Sequence, residues 1–217
     1  MDAWARRAAQ GIFFALSVGL ILWVGGLEFA ARPVGLAYLI LWTALALATA
    51  VFRRPGAPSR YDRSQIAWRT VLGVFGFLAI LVAGPWEYTH MTGPLPRDGL
   101  PAWCGIALFA AGIAINVWAM ATLRSLYTVR ISVQGEHRLV TSGPYRYVRH
   151  PGYAGFLLAM PGMALALGSL AILVFTVAIG AWVVSRISHE EAMLVEQFGD
   201  AYREYQARTK RLLPFLY

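Results

Sequence analysis

Long apolar runs separated by short polar segments dominate the pattern of this 217-residue chain. A helix that crosses a bilayer needs about 20 mostly apolar residues. The first run is longer than the apolar core of a signal peptide, and further runs follow it, so we interpret it as a span rather than as a cleaved leader. Four runs are predicted to be spans, at residues 11–31, 35–52, 67–86 and 102–123.

A fifth apolar stretch, residues 153–185, is too long for one span. It holds 33 residues without a charge, which as a helix would measure roughly 50 Å against a hydrocarbon core of about 30 Å. Gly168 and Ser169 lie near its middle, and both residue types favour turns. We therefore predict a helical hairpin with two short arms, which brings the total to six membrane segments.

The distribution of basic residues supports the hairpin. Lys and Arg concentrate on the cytoplasmic side of membrane proteins. With a cytoplasmic N-terminus and a hairpin, all of the 19 basic residues except Arg32 and Arg97 fall on that side. A single span would instead place Arg186 and the basic residues after it outside. The pattern predicts an all-α polytopic membrane protein with both termini and a C-terminal helix in the cytoplasm, at the inner membrane if the source is bacterial.

Composition agrees with a bilayer environment. Apolar residues make up 58% of the chain and charged residues 14%, whereas soluble domains carry about 25% charged residues. The formal net charge of +8 comes from basic residues clustered between apolar runs, which favours contact with membrane lipids and argues against nucleic acid as a partner. Cys104 is the single cysteine, so it has no partner for a disulfide within the chain.

Polar residues that can carry chemistry concentrate in residues 124–153. This segment holds five arginines, two histidines and four tyrosines between two membrane segments. Pro151 favours an extended His150 and suits the first turn of the helix that follows. We therefore expect Arg149 and His150 at the mouth of the hairpin, at the water–lipid boundary. A positively charged collar with interfacial tyrosines explains the same residues, and both interpretations stay open.

A second polar group lies on the helix that leaves the hairpin. Arg186 and Glu190 are four residues apart and share a helix face. The same spacing is found in ordinary surface ion pairs, which contribute little, but charges at this depth usually face a cavity. A later stripe at helical spacing is expected to pack the tail against the membrane domain. The members of this stripe are Leu194, Phe198, Tyr202 and Tyr205.

Two motifs in these regions resemble a known family. HRLVTSGPYRYVRHPGYAG at 137–155 and RISHEEAMLVEQFGDAYREYQ at 186–206, with LPF at 213–215, look like the isoprenylcysteine carboxyl methyltransferase family, which itself resembles membrane phospholipid N-methyltransferases. The resemblance covers about residues 105–217 and implies an integral membrane methyltransferase that uses S-adenosylmethionine. We expect one membrane methyltransferase domain over 1–217, with variable spans at 1–100 and the cofactor-binding and catalytic region at 101–217.

The resemblance also implies roles for individual residues. Arg186 would handle the substrate and Glu190 would bind the cofactor, and the two are the predicted catalytic pair. A sulfonium cation can be stabilised by tyrosine faces and a carboxylate. No G-x-G-x-x-G turn of a soluble dinucleotide-binding fold is present in the sequence. The other predicted cofactor contacts are Gln134, His137, Arg138, Leu139, Val140, Tyr145, His150, Pro151, Gly152 and Tyr153.

The expected reaction is methyl transfer to a lipid or other hydrophobic small molecule that enters from the membrane, such as an isoprenylcysteine-type carboxylate. A phospholipid amine and a small thiol are alternative acceptors. An NADPH-dependent sterol-type membrane reductase has a similar hairpin, but the Arg-His-Pro block favours the methyltransferase. A non-enzymatic scaffold or transporter has less support, because Glu28, Thr43 and Asn116 are the chief polar residues within the spans.

Overall fold

Helices make up most of the part of the chain that the computed structural model describes, which is residues 3–52, 66–91, 97–123 and 139–213. No β-strand is formed within these ranges. A π-helical turn lies at Leu78–Ala83 and a 3-10 turn at Gly143–Arg146. The helices are α1 (Ala3–Ala31), α2 (Pro33–Phe52), α3 (Ile66–Phe77), α4 (Gly84–His90), α5 (Leu100–Leu123), α6 (Pro151–Leu167), α7 (Leu170–Phe198) and α8 (Asp200–Arg208).

The six predicted membrane segments are present. α6 is a shorter apolar helix of 17 residues, about 25 Å long at the usual rise. The third span was predicted as one regular helix at 67–86, but it continues to His90 and includes the π-helical turn. The predicted all-α membrane bundle is thus confirmed. Five helical stretches are long and apolar enough to cross a membrane, namely Gly11–Ala31, Pro33–Phe52, Val71–His90, Leu100–Leu123 and Leu170–Phe198.

α6 and α7 form the predicted hairpin. Gly168 ends α6 in the left-handed conformation, with φ 60° and ψ 30°, which glycine adopts without steric cost. The Ser169 hydroxyl then caps α7 by accepting a hydrogen bond from the Ile172 N–H at 3.2 Å. The Gly-Ser pair therefore reverses the chain in two residues, and the two arms run antiparallel.

α6 lies very close to α5 because small residues face each other along the contact. A Cβ atom added to Gly112 would lie 2.5 Å from the Gly155 carbonyl oxygen and 2.6 Å from the Ala159 nitrogen. The Asn116 amide donates to the Gly152 carbonyl at 2.9 Å, so this polar residue within a span forms an interhelical hydrogen bond. Small residues let helix backbones approach in a membrane. This contact holds the first turn of α6 in a fixed register against α5.

A polar cluster joins the loops at the end of the bundle that contains the α6–α7 turn. Arg32 Nη1 lies 3.4 Å from Asp98 Oδ2, and the Tyr88 hydroxyl donates to Asp98 Oδ1 at 3.1 Å. The guanidinium groups of Arg32 and Arg97 lie 5.9 and 5.8 Å from the Tyr88 ring centroid. These two arginines, predicted to lie apart from the other basic residues, therefore meet at one end of the bundle.

The close approach of α5 and α6 predicts that a single methyl group at Gly112 is destabilising. We expect Gly112→Ala to lower the free energy of unfolding by about 1–3 kcal/mol, since the backbone of α6 must move away. Gly19→Ala is the matched control, because no atom lies within 4 Å of its added Cβ. Denaturant unfolding of both variants in mixed micelles measures the difference, and equal stabilities would contradict the tight contact.

Candidate functional site

Most of the described residues of the predicted site lie where α6 begins and where α7 leaves its apolar part, and Leu139, Val140 and Tyr145 lie in and before the 3-10 turn. Along α7, Arg186 and Glu190 are roughly 24 and 30 Å from Leu170 at 1.5 Å per residue. That distance is close to the thickness of a hydrocarbon core, about 30 Å. The pair therefore lies at the end of the hairpin opposite its turn, and its place at the water–lipid boundary stays a prediction.

Tyr153, in the first turn of α6, contacts both members of the predicted catalytic pair. Arg186 Nε donates a hydrogen bond to the Tyr153 hydroxyl at 2.6 Å, and this hydroxyl donates to Glu190 Oε2 at 3.0 Å. The Arg186 residue is only 3% exposed. Arg186 and Glu190 therefore differ from an ordinary surface ion pair, because the arginine is buried and both side chains bind the same tyrosine hydroxyl.

His150 lies immediately before α6 and is also buried. Its ring centroid is 5.8 Å from that of Tyr153. Its Nε2 atom is 3.4 Å from Glu191 Oε1 but has no hydrogen bond within the described part of the chain. Because a buried polar nitrogen normally needs a partner, this atom is suited to contact a bound molecule.

Glu191 follows Glu190 in sequence but has different partners. Its Oε1 accepts a hydrogen bond from Arg149 Nε at 2.6 Å, and its Oε2 accepts one from Arg211 Nε at 2.9 Å. Arg149 Nη1 also donates to the Thr209 carbonyl. The Glu191 side chain is 4% exposed, and a carboxylate so far from water requires such compensation. The sequence prediction did not include these residues in the site.

The C-terminal helix packs as the stripe predicts, but it is not continuous with α7. Tyr202 and Tyr205 are buried, while Leu194 and Phe198 are half-buried. At Gly199 the backbone has φ 55°, a left-handed value that favours glycine, and the chain changes direction into α8. The single C-terminal helix that the stripe suggests is therefore divided at Gly199.

The residues after α8, 209–213, are called here the C-terminal segment, and they lie beside the start of α6. The Arg149 N–H donates to the Lys210 carbonyl at 2.7 Å, and the His150 N–H donates to the Arg211 carbonyl at 3.0 Å. Val148 and Lys210 form a short parallel bridge. The backbone around His150 is thus hydrogen-bonded to the last described part of the chain.

Tyr145, in the 3-10 turn, is hydrogen-bonded to helix α8. Its carbonyl accepts a hydrogen bond from the Tyr205 hydroxyl at 2.5 Å. Burial raises the pKa of Tyr205 to about 12 even though Arg149 opposes the shift, so Tyr205 remains a neutral donor at physiological pH. Leu139 and Val140 are half-buried before this turn. Three predicted cofactor contacts, Gln134, His137 and Arg138, lie outside the described residues.

The sequence contains one signal that could have identified Glu191. Consecutive residues on a helix point about 100° apart, so Glu190 and Glu191 cannot both face the same partners. An acidic residue at this depth then requires a cation of its own. Arg149 and Arg211 provide that charge, but nothing in their spacing along the chain relates them to Glu191.

Comparison with known proteins relates this arrangement to one family. Residues 105–196 match the sequence model of the isoprenylcysteine carboxyl methyltransferase (ICMT) family. The predicted family resemblance is confirmed. The matched region includes most of α5, all of α6 and α7 up to residue 196, and it contains every described residue of the predicted site.

The relatives match only part of this chain, and the matches cover only part of their own length. A protein of Oryza sativa subsp. indica named "Probable protein-S-isoprenylcysteine O-methyltransferase" is 34% identical over 118 residues, which is 53% of this chain and 62% of that protein. The protein-S-isoprenylcysteine O-methyltransferase of Schizosaccharomyces pombe is 39% identical over 82 residues, 37% of this chain and 35% of that protein. This chain therefore spans less than two thirds of the length of the relatives it matches.

The fold is also found in a solved structure. The structure of the eukaryotic intramembrane Ras methyltransferase ICMT has a TM-score of 0.62 and 24% sequence identity, and the match covers 99% of this chain and 77% of that chain. The chain thus has the fold of a multi-pass integral membrane protein, including the N-terminal spans that the family match does not reach.

The Tyr205–Tyr145 hydrogen bond predicts a pH-dependent contribution to stability. Tyr205→Phe should lower the free energy of unfolding by about 1 kcal/mol at neutral pH, because the Tyr145 carbonyl loses its donor. The folded-state pKa of Tyr205 is raised from 10.0 to about 12. Its contribution is therefore present below pH 10 and lost as the pH rises toward 12.

Unfolding curves of the wild type and Tyr205→Phe at several pH values test this expectation. The difference between the two proteins should shrink between pH 10 and pH 12. Tyr147→Phe is the matched control, because Tyr147 is 53% exposed, and it should leave stability unchanged. A deficit of Tyr205→Phe that stays constant up to pH 12 would contradict the role of the hydroxyl.

Proposed function

We propose that this protein is an S-adenosylmethionine-dependent integral membrane methyltransferase that acts on the carboxylate of an isoprenylcysteine-type acceptor. The observation that carries the proposal is the Tyr153 hydroxyl held between Arg186 and Glu190 beside the buried His150. The names of the relatives and of the solved structure support the same activity.

The described residues fit a donor that carries a sulfonium cation and a zwitterionic methionine end. The Tyr153 ring and the Glu190 carboxylate provide an aromatic face and a negative charge for the cation. The buried His150 Nε2 is suited to a polar atom of the donor. Leu139 and Val140 would contact the adenine. The remaining proposed donor contacts are Gln134, His137, Arg138, Tyr145, Pro151 and Gly152.

Arg186 is suited to orient an anionic acceptor. Its Nε atom is bonded to Tyr153, and its guanidinium carbon lies 5.2 Å from the Trp182 ring centroid. The group is thus fixed from two sides, and a fixed guanidinium can receive a carboxylate with a defined geometry. Because Trp182 lies one helical turn closer to the hairpin, an isoprenoid chain could stay in the apolar layer while its carboxylate reaches Arg186.

The reaction mainly requires positioning in a site without water. S-adenosylmethionine supplies an electrophilic methyl group, whose transfer to a carboxylate leaves a neutral thioether and a neutral ester without moving a proton. Arg186 and Glu190 therefore act by binding and orientation rather than as acid or base. The burial of Arg186 and His150 would limit the access of water to the reacting atoms.

We also propose that both termini and the site face the cytoplasm. The basis is the positive-inside rule, together with the location of Arg32 and Arg97 at the end of the bundle that contains the hairpin turn. In a bacterial cell this orientation would be adopted in the inner membrane. An isoprenylated protein or peptide would then approach its site from the cytoplasmic leaflet.

Donor binding and label transfer test the proposed activity. Purified protein in nanodiscs should bind S-adenosylmethionine and S-adenosylhomocysteine by calorimetry. It should also transfer a labelled methyl group to an S-farnesylcysteine derivative with a free carboxylate, and not to the matching carboxamide. Phosphatidylethanolamine and a small thiol in parallel reactions distinguish the alternative acceptors. Failure to bind either S-adenosylmethionine or S-adenosylhomocysteine at millimolar concentration would contradict the proposal.

Two variants separate the roles of the proposed catalytic pair. Glu190→Gln should weaken S-adenosylmethionine binding by about tenfold, since a charge that faces the sulfonium is removed. Arg186→Ala should change donor binding much less but lower kcat with the acceptor by about 100-fold, because an oriented cation is lost.

The matched control for both variants is Glu204→Gln, which alters an exposed ion pair with Arg208 on α8. It should behave as the wild type in calorimetry and in steady-state assays with each substrate varied. Wild-type activity in both Glu190→Gln and Arg186→Ala would show that the roles are assigned to the wrong residues.

A further inference from the structure

A buried ionic cluster lies beside the proposed donor site but has no role in the function proposed above. It consists of Glu191 on α7, Arg149 before α6 and Arg211 in the C-terminal segment. Each carboxylate oxygen of Glu191 binds a different arginine, at 2.6 and 2.9 Å. One carboxylate thus connects two segments that are far apart in sequence.

The cluster surrounds the backbone that carries His150. The N–H groups of Arg149 and His150 both donate to carbonyls of the C-terminal segment. The Glu191 Oε1 atom that binds Arg149 is also 3.4 Å from His150 Nε2. The position of the imidazole therefore depends on contacts that Glu191 makes on both sides of it, with the loop before α6 and with the C-terminal segment.

Stability alone is a weak explanation for such a cluster. Desolvation of buried charges often costs as much as their attraction returns, and well-packed apolar side chains can replace them at little loss of stability. A fixed arrangement of neighbouring groups is the property that charged, directional contacts provide and apolar contacts do not. The groups arranged here include His150, whose ring lies beside Tyr153 and whose Nε2 atom is 3.4 Å from the Glu191 carboxylate.

We infer that Glu191 is a positioning residue, which holds His150 at the donor site by joining the C-terminal segment to the loop before α6. This inference rests on the proposed function, in which His150 contacts the methyl donor. It makes the C-terminal segment a part of the donor site. A change in that segment should therefore alter donor binding without touching the acceptor site at Arg186.

Glu191→Gln in the full chain is the first test. Removing the charge should release both arginines and raise the Kd for S-adenosylhomocysteine by roughly 10- to 100-fold, the range expected when a displaced His150 loses one hydrogen bond to a charged group of the ligand. The KM for the farnesylcysteine acceptor should stay within about threefold. Glu196→Gln is the matched control, because Glu196 is exposed on the same helix.

Arg211→Gln is the second test, and it changes the cluster in the C-terminal segment. The Arg211 side chain is 32% exposed, so its replacement should be tolerated by the fold. We expect a rise in the donor Kd of about fivefold or more, again with an unchanged acceptor KM. A role in stability alone predicts another result, since destabilisation lowers the fraction of active protein but leaves the Kd of the folded fraction unchanged.

The outcomes separate this inference from the proposed function. If the wild type binds no donor, the proposed function fails. If the wild type binds the donor and both variants bind it equally well, the function stands and the positioning role is overturned. If the variants change the acceptor KM as much as the donor Kd, the positioning role is likewise overturned. If Glu191→Gln does not fold, the donor Kd and the acceptor KM of Arg211→Gln alone decide whether the positioning role stands.

Discussion

A carboxylate that is removed from water must be matched by cations, and the Glu191 side chain meets this requirement with arginines from two distant segments. The compensation is complete only when α7, the loop before α6 and the C-terminal segment have all reached their places. When these three segments pack together, His150 lies beside Tyr153, and the Tyr153 hydroxyl binds Arg186 and Glu190. Assembly of the site and neutralisation of the buried charge are therefore one event.

The distance between the site and the hairpin turn follows from the lengths of the two arms. Tyr153 is 14 residues from the end of α6, or about 21 Å, and Arg186 is roughly 24 Å from the start of α7. Gly168 and Ser169 reverse the chain within two residues. Tyr153 and Arg186 are therefore at similar distances from the hairpin turn. The apolar layer then lies on one side of them, and the charged C-terminal segment lies on the other.

Sequence patterns predicted the membrane segments, the hairpin and the shared face of Arg186 and Glu190, because these features depend on residues close together in the chain. The family motifs added Tyr153 and a cofactor-binding role for His150. The break at Gly199 was not predicted, since an aromatic stripe continues through it and suggests one helix. Glu191 was not predicted either, because its partners Arg149 and Arg211 have no spacing that relates them to it.

The sequence by itself determined how many segments cross the membrane, where the hairpin turns and which end of the bundle carries the basic residues. Run length, turn residues and charge placement are local properties, and the bilayer acts on each segment separately. Only the tertiary structure decided which of two adjacent glutamates faces Tyr153 and which one binds the two arginines. That choice depends on the rotation and register of the helices, which are set by packing between segments, such as the glycine contacts of α5 and α6.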